Sequence, residues 1–211
     1  MREGKIERPD LHALMAARLK KSTAVPETFF GVESEQIAQA CWAMARRFHQ
    51  GGRLLAFGNG ACATDAQHVA VEFVHPVIVG KRALPAIALT NDSATLSGLM
   101  SCKAAKKSFA RQLQVLARPQ DIAMGFASDG DCPHIQEALT MAHRKGLLTL
   151  ALLGGDKGRL NANASAWDGI VDFLFVVQAT DPLVIQETHE TLYHVLWELV
   201  HVFFEHEGLL T

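Results

Sequence analysis

The sequence predicts an α/β protein with a five-stranded, parallel, doubly wound sheet flanked by helices and preceded by an N-terminal helical extension. Three observations predict this class. Five short apolar runs alternate with stretches of helical spacing. Each run is apolar nearly throughout, as strands buried on both faces are. Glycine-containing turns follow the first and third runs, at the strand ends where ligands bind in such sheets.

The N-terminal region is predicted to form two helices. Residues 10–21 have helical spacing and end in lysines, which suit a helix C-terminus. A loop with Pro26 and Gly31 is expected next, and then a second helix from residue 33 that ends at the glycine pair 51–52. The predicted organisation is therefore a helical segment over residues 1–32 and one domain over 33–211.

The rest of the chain alternates between the two kinds of element. The five predicted strands cover 53–58, 84–90, 121–128, 147–154 and 170–177. Helices are predicted near 60–75, 93–117 and 131–145, and a long helix over 181–205, with a glycine-rich linker at 155–169. Such alternation predicts right-handed crossovers between parallel strands.

Composition excludes several classes of function. A length of 211 residues fits one domain. The net charge of −2 and the pI of about 6.5 do not indicate a nucleic-acid or membrane partner. No apolar run approaches the roughly 18 residues of a membrane span, and the charged N-terminus does not resemble a signal peptide. We therefore expect a cytoplasmic protein with free cysteines at 41, 62, 102 and 132.

The turn after the first strand opens a helix that carries possible ligands. Gly58, Asn59 and Gly60 allow a sharp turn that leaves backbone amides facing outward, although many ordinary turns look the same. His68 and Glu72 stand four residues apart, on one helix face, and could be metal ligands or an acid–base pair. A surface pair is the common alternative, but apolar neighbours favour a partner or metal for the glutamate.

The last predicted helix offers further candidates. Gln186, Glu190 and His194 step by four along one slowly turning face, and three more histidines lie at 189, 201 and 206. Spacing alone does not choose among these histidines, and any single one can be an ordinary core residue. Two helices that offer nitrogen and oxygen ligands could close a zinc site.

The stretch after the third strand has a structural explanation of its own. Asp131 is a plausible helix N-cap, and Pro133 suits the first helical turn. This interpretation needs no ligand.

Three motifs, in order, resemble the sugar isomerase (SIS) family, and within it the sedoheptulose-7-phosphate isomerases, also called phosphoheptose isomerases. They are "GNGACATDAQHVAVE" (58–72), "LPAIALTND" (84–92) and "DPLVIQETHETLYH" (181–194). The resemblance covers roughly residues 30–207. It implies a flavodoxin-like SIS domain over 33–211, a sugar-phosphate substrate, and assembly as a homotetramer.

The resemblance also implies a set of site residues. It places zinc between His68, Glu72, Gln186 and His194, and assigns proton transfer through an enediol to Glu72 and His194. The implied substrate-binding residues are Asn59, Gly60, Ala61, Asp92, Ser128, Asp129 and Gln186.

The sequence departs from the family in the phosphate loop. Where the family reads STSGNS, this chain reads "ASDGDC" (127–132), which brings in Asp129, Asp131 and Cys132. The first loop has Ala61-Cys62 for the usual GS, and "MSC" (100–102) replaces an expected GND. Like charges about 4 Å apart repel by roughly 4 kcal/mol at an effective dielectric near 20, so these carboxylates oppose a phosphate unless they turn aside or a cation intervenes. Three lysines, at 103, 106 and 107, could supply replacement charge or simply form a solvated face.

Three functions follow as hypotheses. The first is an aldose–ketose isomerase acting on a sugar phosphate, with zinc polarising the substrate oxygens. The second is a regulatory or binding protein, which the altered phosphate loop favours and the retained ligand set opposes. The third is an enzyme that keeps the zinc site but takes an unphosphorylated or cationic substrate.

Overall fold

The computed structural model describes residues 10–101, 105–155, 167–206 and 208. Its helices are α1 (Leu11–His49), α2 (Ala61–Val74), α3 (Ser93–Met100), α4 (Ser108–Leu116), α5 (Pro133–Arg144) and α6 (Pro182–Glu205). A 3₁₀ turn at Ala105–Lys107 precedes α4. Its strands are β1 (Leu54–Gly58), β2 (Ala86–Ala88), β3 (Ile122–Ala127), β4 (Leu148–Gly155) and β5 (Phe173–Gln178). All five predicted strands are confirmed.

The five strands form one parallel sheet in the order β2-β1-β3-β4-β5. This is the flavodoxin-like order, in which the chain reverses direction between β1 and β3. The carboxyl ends of these two strands are neighbours, since Gly58 pairs with Phe126. The turns that follow β1 and β3 therefore open on the same edge of the sheet.

Helices cover both faces of the sheet, and the core has two halves. Helices α1, α2 and α6 pack on one face around buried side chains such as Phe73, Phe126 and Trp197. Helices α4 and α5 pack on the other face, against Phe57 and Phe109 among others. Because α2 and α6 share a face, side chains far apart in sequence can meet between them.

The N-terminal region differs from its prediction. Helix α1 is continuous for 39 residues and contains Pro26, so the predicted loop is wrong. A proline inside a helix costs about 3 kcal/mol. Packing on both sides offsets that cost, because Phe29 is buried and Arg18 pairs with Asp181 and Glu187 of the last helix. The division at residues 32 and 33 stays a prediction, although α1 runs through it.

The helical stretch predicted near 93–117 is divided into two helices, α3 and α4, with a 3₁₀ turn directly before α4. Helix α4 buries Phe109 and Leu113 against the sheet, whereas α3 buries no side chain. Packing against the sheet therefore fixes the direction of α4, whereas α3 has no buried side chain that would align it with α4.

Two further expectations concern the whole chain. Cys41, Cys62 and Cys132 are free thiols, as predicted, while Cys102 and most of the linker 155–169 lie outside the described residues. Among the helices described, none is both long enough and apolar enough to cross a bilayer.

Candidate active site

The turn from β1 into α2 depends on its glycines. A Cβ at Gly58 would lie 2.4 Å from the carbonyl oxygen of Cys62, and Gly60 has φ of +59°, which favours glycine. The carbonyls of Asn59 and Gly60 accept hydrogen bonds from the amides of Cys62 and Ala63, at 3.1 and 3.0 Å. Helix α2 therefore starts immediately beyond the sheet edge, and Asn59 and Gly60, which directly precede it, are exposed.

Three predicted site residues meet between α2 and α6. One possible ligand atom from each of His68, Glu72 and His194 lies within 4.8 Å of the others. The Nε2 atom of His68 is 3.3 Å from a carboxylate oxygen of Glu72. The side chain of Glu72 is 12% exposed and that of His68 is 36% exposed, so the cluster is reached from the surface and is not in the core.

Gln186 is tied to the first turn of α2. Its amide nitrogen donates to the Ala61 carbonyl at 3.2 Å, the Thr64 hydroxyl at 3.0 Å and an Asp65 carboxylate oxygen at 3.1 Å. Within the described part of the chain, no hydrogen bond involves its amide oxygen. This oxygen is therefore the atom of Gln186 that remains available to a ligand.

Asp65 is a site residue that the sequence analysis did not assign. It is 3% exposed, and its Oδ2 atom has no hydrogen-bond partner among the described residues. Burial raises the pKa of Asp65 to about 6, although the hydrogen bond from Gln186 lowers it. A buried carboxylate without a full set of partners is unusual in an ordinary helix. Its position one turn before His68 is the sequence signal that could have identified it.

Tyr193 is the second residue that sequence analysis missed. Its hydroxyl lies 2.7 Å from Nδ1 of His68, and its ring meets the rings of His68 and His194 edge to face. Burial, and then the negative charges of Glu190, Asp65 and Glu72, raise the pKa of Tyr193 above its usual value. The hydroxyl therefore keeps its proton. Its place directly before His194 is a weak signal, since a buried tyrosine is common in a helix.

The structure separates the four histidines of α6. His189 is buried and bonds through Nε2 to the Leu153 carbonyl, and burial lowers its pKa to about 4. His201 is buried between the carbonyls of Trp197 and Arg82. His206 lies at the C-cap of α6. Among these histidines only His194 joins the cluster.

The loop after β3 is bound internally. The carboxylate of Asp129 accepts a hydrogen bond from the Asp131 amide at 2.8 Å. The N-cap of α5 is Cys132, so the predicted capping role of Asp131 is wrong; the chain turns through Asp129 and starts the helix one residue later, with Pro133 in its first turn. Both aspartates are exposed.

The thiols of Cys62 and Cys132 lie where α2 and α5 begin, directly after the turns that follow β1 and β3. Burial, and then Asp65, raise the pKa of Cys62 to about 11, while hydrogen bonds from the backbone and hydroxyl of Ser128 lower it. Burial also raises the pKa of Cys132, and the charges of Asp129 and Asp131 add to this rise. The two aspartates therefore place negative charge at the start of α5.

The remaining predicted residues act elsewhere. Asp92 caps α3 by accepting hydrogen bonds from the amide and hydroxyl of Thr95, at 2.9 and 2.7 Å, and these bonds lower its pKa. It borders a groove of about 620 Å³ between β2, α3 and α4, which none of the other predicted site residues lines. The Nζ atom of Lys107 lies 3.6 Å from a carboxylate oxygen of Glu137. Lys103 is outside the described residues.

The converging side chains match the donors that zinc prefers. Zinc in proteins binds histidine nitrogens and carboxylate oxygens, commonly from three or four ligands. His68, Glu72 and His194 supply two nitrogens and one oxygen within 4.8 Å. The amide oxygen of Gln186, whose nitrogen bonds to the first turn of α2, is the candidate for a fourth donor. The donor set therefore fits zinc.

Comparisons with known proteins show the family of the chain. The SIS domain model matches residues 19–154. A phosphoheptose isomerase from Desulfovibrio desulfuricans is 36% identical over 200 residues, which cover 94% of this chain and 89% of that protein. One from Solidesulfovibrio magneticus is 35% identical, with 91% of each chain covered. The solved structure of phosphoheptose isomerase from Neisseria gonorrhoeae is 29% identical, with a TM-score of 0.78 over 90% of this chain and 98% of that one.

Proposed function

The chain belongs to the SIS domain family, and on that premise we propose that it is a zinc-dependent aldose–ketose isomerase of the phosphoheptose isomerase type, acting on a sugar phosphate through an enediol. The observation that carries the proposal is the meeting of His68, Glu72 and His194 between α2 and α6. These helices are far apart in sequence, so their three polar side chains converge only in the fold.

Glu72 and His194 are suited to opposite proton transfers. The Glu72 carboxylate is mostly buried and can take a proton from the carbon next to the substrate carbonyl. His194 is exposed on α6 and can return a proton at the neighbouring carbon. Two groups in one cleft can thus move a proton between adjacent carbons.

The metal would be held by His68, Glu72, Gln186 and His194. Bound zinc would polarise the carbonyl and hydroxyl oxygens of the substrate. Glu72 would thus have two roles, as a ligand of the metal and as the base that accepts the substrate proton.

The turns after β1 and β3 would bind the rest of the sugar. Asn59, Gly60 and Ala61 lie beyond β1, and Ser128 and Asp129 lie beyond the neighbouring β3. Exposed backbone and polar side chains at this edge can bind substrate hydroxyls. Asp92 stays a proposed substrate residue, although its observed bonds only cap α3.

Metal analysis of the purified protein tests the proposal. We expect about one zinc ion per chain, lost together with isomerase activity in His68→Ala/His194→Ala. The matched control is His12→Ala/His143→Ala, which removes two exposed histidines outside the cluster. Wild type without stoichiometric zinc, or a cluster variant that keeps it, would show the proposed ligand set to be wrong.

A second candidate is a protein with the same cluster but another ligand, either an enzyme with an unphosphorylated or cationic substrate or a regulatory binding protein. The observation that favours it is the charge of Asp129 and Asp131 near the start of α5. A helix start normally attracts anions. Here carboxylates of the chain itself already lie there, so we expect sedoheptulose 7-phosphate to be a poor substrate.

We also propose a homo-oligomer, a tetramer. The first turns of α1 carry large apolar side chains that stay more than half exposed in the single chain: Leu11, Leu14, Met15 and Leu19. Apolar side chains grouped on one exposed surface are typical of an interface. Light scattering at micromolar concentration should give a multiple of 23.0 kDa for wild type and a smaller mass for Leu14→Glu/Leu19→Glu. A monomeric wild type would contradict the proposal.

A further inference from the structure

The tyrosine beside His194 contacts both histidines of the cluster. Tyr193 is the only tyrosine of the chain and is 1% exposed. Its hydroxyl lies 2.7 Å from Nδ1 of His68. Its ring centroid lies 5.3 Å from that of His68 and 5.1 Å from that of His194, with interplanar angles of 77° and 80°. One buried side chain therefore touches both proposed nitrogen ligands.

We propose that Tyr193 is a positioning residue for this site, and the inference rests on the proposed function. Its hydroxyl holds His68 so that Nε2 faces Glu72, and its ring fixes the angle of His194. The two histidine rings are themselves 5.1 Å apart and nearly perpendicular. A ring packed against both of them limits the rotation of each.

Tyr193 is well anchored for this role. Its ring meets Phe126 of β3 edge to face at 6.0 Å, and Phe126 is fully buried in the sheet. The position of the hydroxyl is therefore set by the core and not by an exposed side chain. A rigid neighbouring side chain positions a metal-binding residue more accurately than a mobile side chain does.

The two nitrogens of His68 have different surroundings. Nε2 lies 3.3 Å from Glu72, another proposed ligand. Nδ1 has the Tyr193 hydroxyl at 2.7 Å and a Glu190 carboxylate oxygen at 3.5 Å. In a histidine that binds a metal, the second ring nitrogen commonly donates its N–H to a nearby oxygen acceptor. This hydrogen bond fixes the orientation of the ring and its tautomer. Tyr193 is the closer and more buried of the two partners.

A phenol hydroxyl suits this position because it can both donate and accept. Without metal, the Nε2–H of His68 can donate to Glu72 while Nδ1 accepts from Tyr193. If Nε2 gave its lone pair to a metal, Nδ1 would carry the proton and donate a hydrogen bond to the Tyr193 oxygen. The same hydroxyl therefore holds the ring in both states, which an ionised carboxylate cannot do.

A purely structural role is the alternative. A buried tyrosine hydroxyl needs a hydrogen-bond partner, and His68 could simply be that partner. Loss of the hydroxyl would then change stability without changing metal binding. Metal affinity distinguishes the two roles, and the ring resonances of His68 show whether the hydroxyl bonds to that ring.

The variant to test is Tyr193→Phe, which keeps the ring and removes the hydroxyl. The matched control is Thr191→Val, which removes a hydroxyl of the same helix that bonds only to the Glu187 carbonyl. Co²⁺ titration, followed by its visible absorption, and zinc competition with a chromophoric chelator give the affinities. We expect Tyr193→Phe to bind both ions about tenfold more weakly and Thr191→Val to bind them as wild type does.

Nuclear magnetic resonance of the metal-free protein supplies an independent test. The ring ¹⁵N resonances of His68, assigned by their loss in His68→Gln, should shift in Tyr193→Phe and stay in place in Thr191→Val. Unchanged affinity of Tyr193→Phe would overturn the inference, and unchanged resonances would show that the hydroxyl does not hold His68. Wild type that binds neither ion would instead overturn the proposed metal site, and the resonances would still decide whether Tyr193 holds His68.

Discussion

Two regions at the carboxyl ends of β1 and β3 are built in different ways. The cluster of His68, Glu72 and His194 stands on the faces of two packed helices. The loop over 127–132 has no such support, and its aspartates are exposed. The resemblance implies the cluster residues as ligands, whereas it implies neutral residues where this loop has aspartates. Packed helices thus hold reactive groups in place, while a loop can change charge without disturbing the core.

The difference also concerns charge. The cluster joins one carboxylate and two histidines, whose possible ligand atoms lie within 4.8 Å of one another. The loop places Asp129 and Asp131 at the start of α5, and the Asp131 amide donates its hydrogen bond to the Asp129 carboxylate. If the cluster determines the chemistry and the loop determines the ligand, then changes in the two regions should have separable effects.

The largest expected effect comes from the cluster. Glu72→Gln should lower isomerase turnover by at least about 100-fold, because the amide cannot accept the substrate proton. Steady-state kinetics on any sugar that the wild type isomerises would measure this. Glu198→Gln, on the exposed side of α6, is the control and should keep full turnover. A Glu72→Gln enzyme within a few-fold of wild type would exclude Glu72 as the base.

The next effect comes from the loop. Asp129→Ser/Asp131→Asn should raise kcat/KM for sedoheptulose 7-phosphate by about tenfold, equal to about 1.4 kcal/mol, because two charges that repel the phosphate are removed. The control is Glu27→Gln/Glu35→Gln on α1, which changes net charge equally at exposed positions outside both regions. A fast wild type with no gain in the loop variant would mean that the aspartates leave the phosphate undisturbed.

The smallest expected effect is a loss of stability in the loop variant, in contrast to its expected gain in kcat/KM. The same loop variant should lower the free energy of unfolding by about 0.3–1 kcal/mol per carboxylate, because negative charge at the start of α5 interacts with the helix dipole. Urea denaturation of both double variants measures it. Equal stability of the loop variant and wild type would show that the aspartates do not interact with α5.

The regular elements of the sheet were predictable, and the first helix was not. Strands β1, β3 and β4 are buried apolar runs, so composition alone marks them. Pro26 and Gly31 normally end a helix, and they predicted a loop that is absent. Contacts of Phe29 with the core and of Arg18 with α6 hold the helix together across them. Local preference is a weak guide where distant packing opposes it.

The sequence by itself determined the pairing of His68 with Glu72, because four residues in a helix always return to the same face. It also determined the charge of the loop at 129–131. Spacing alone did not choose among the histidines of α6, although the resemblance implied His194. Only the tertiary structure decided that His194 lies beside that pair and that Tyr193 lies against both rings. The physical reason is that helical periodicity fixes directions around one axis, whereas the contact between α2 and α6 depends on how both helices pack on a common sheet.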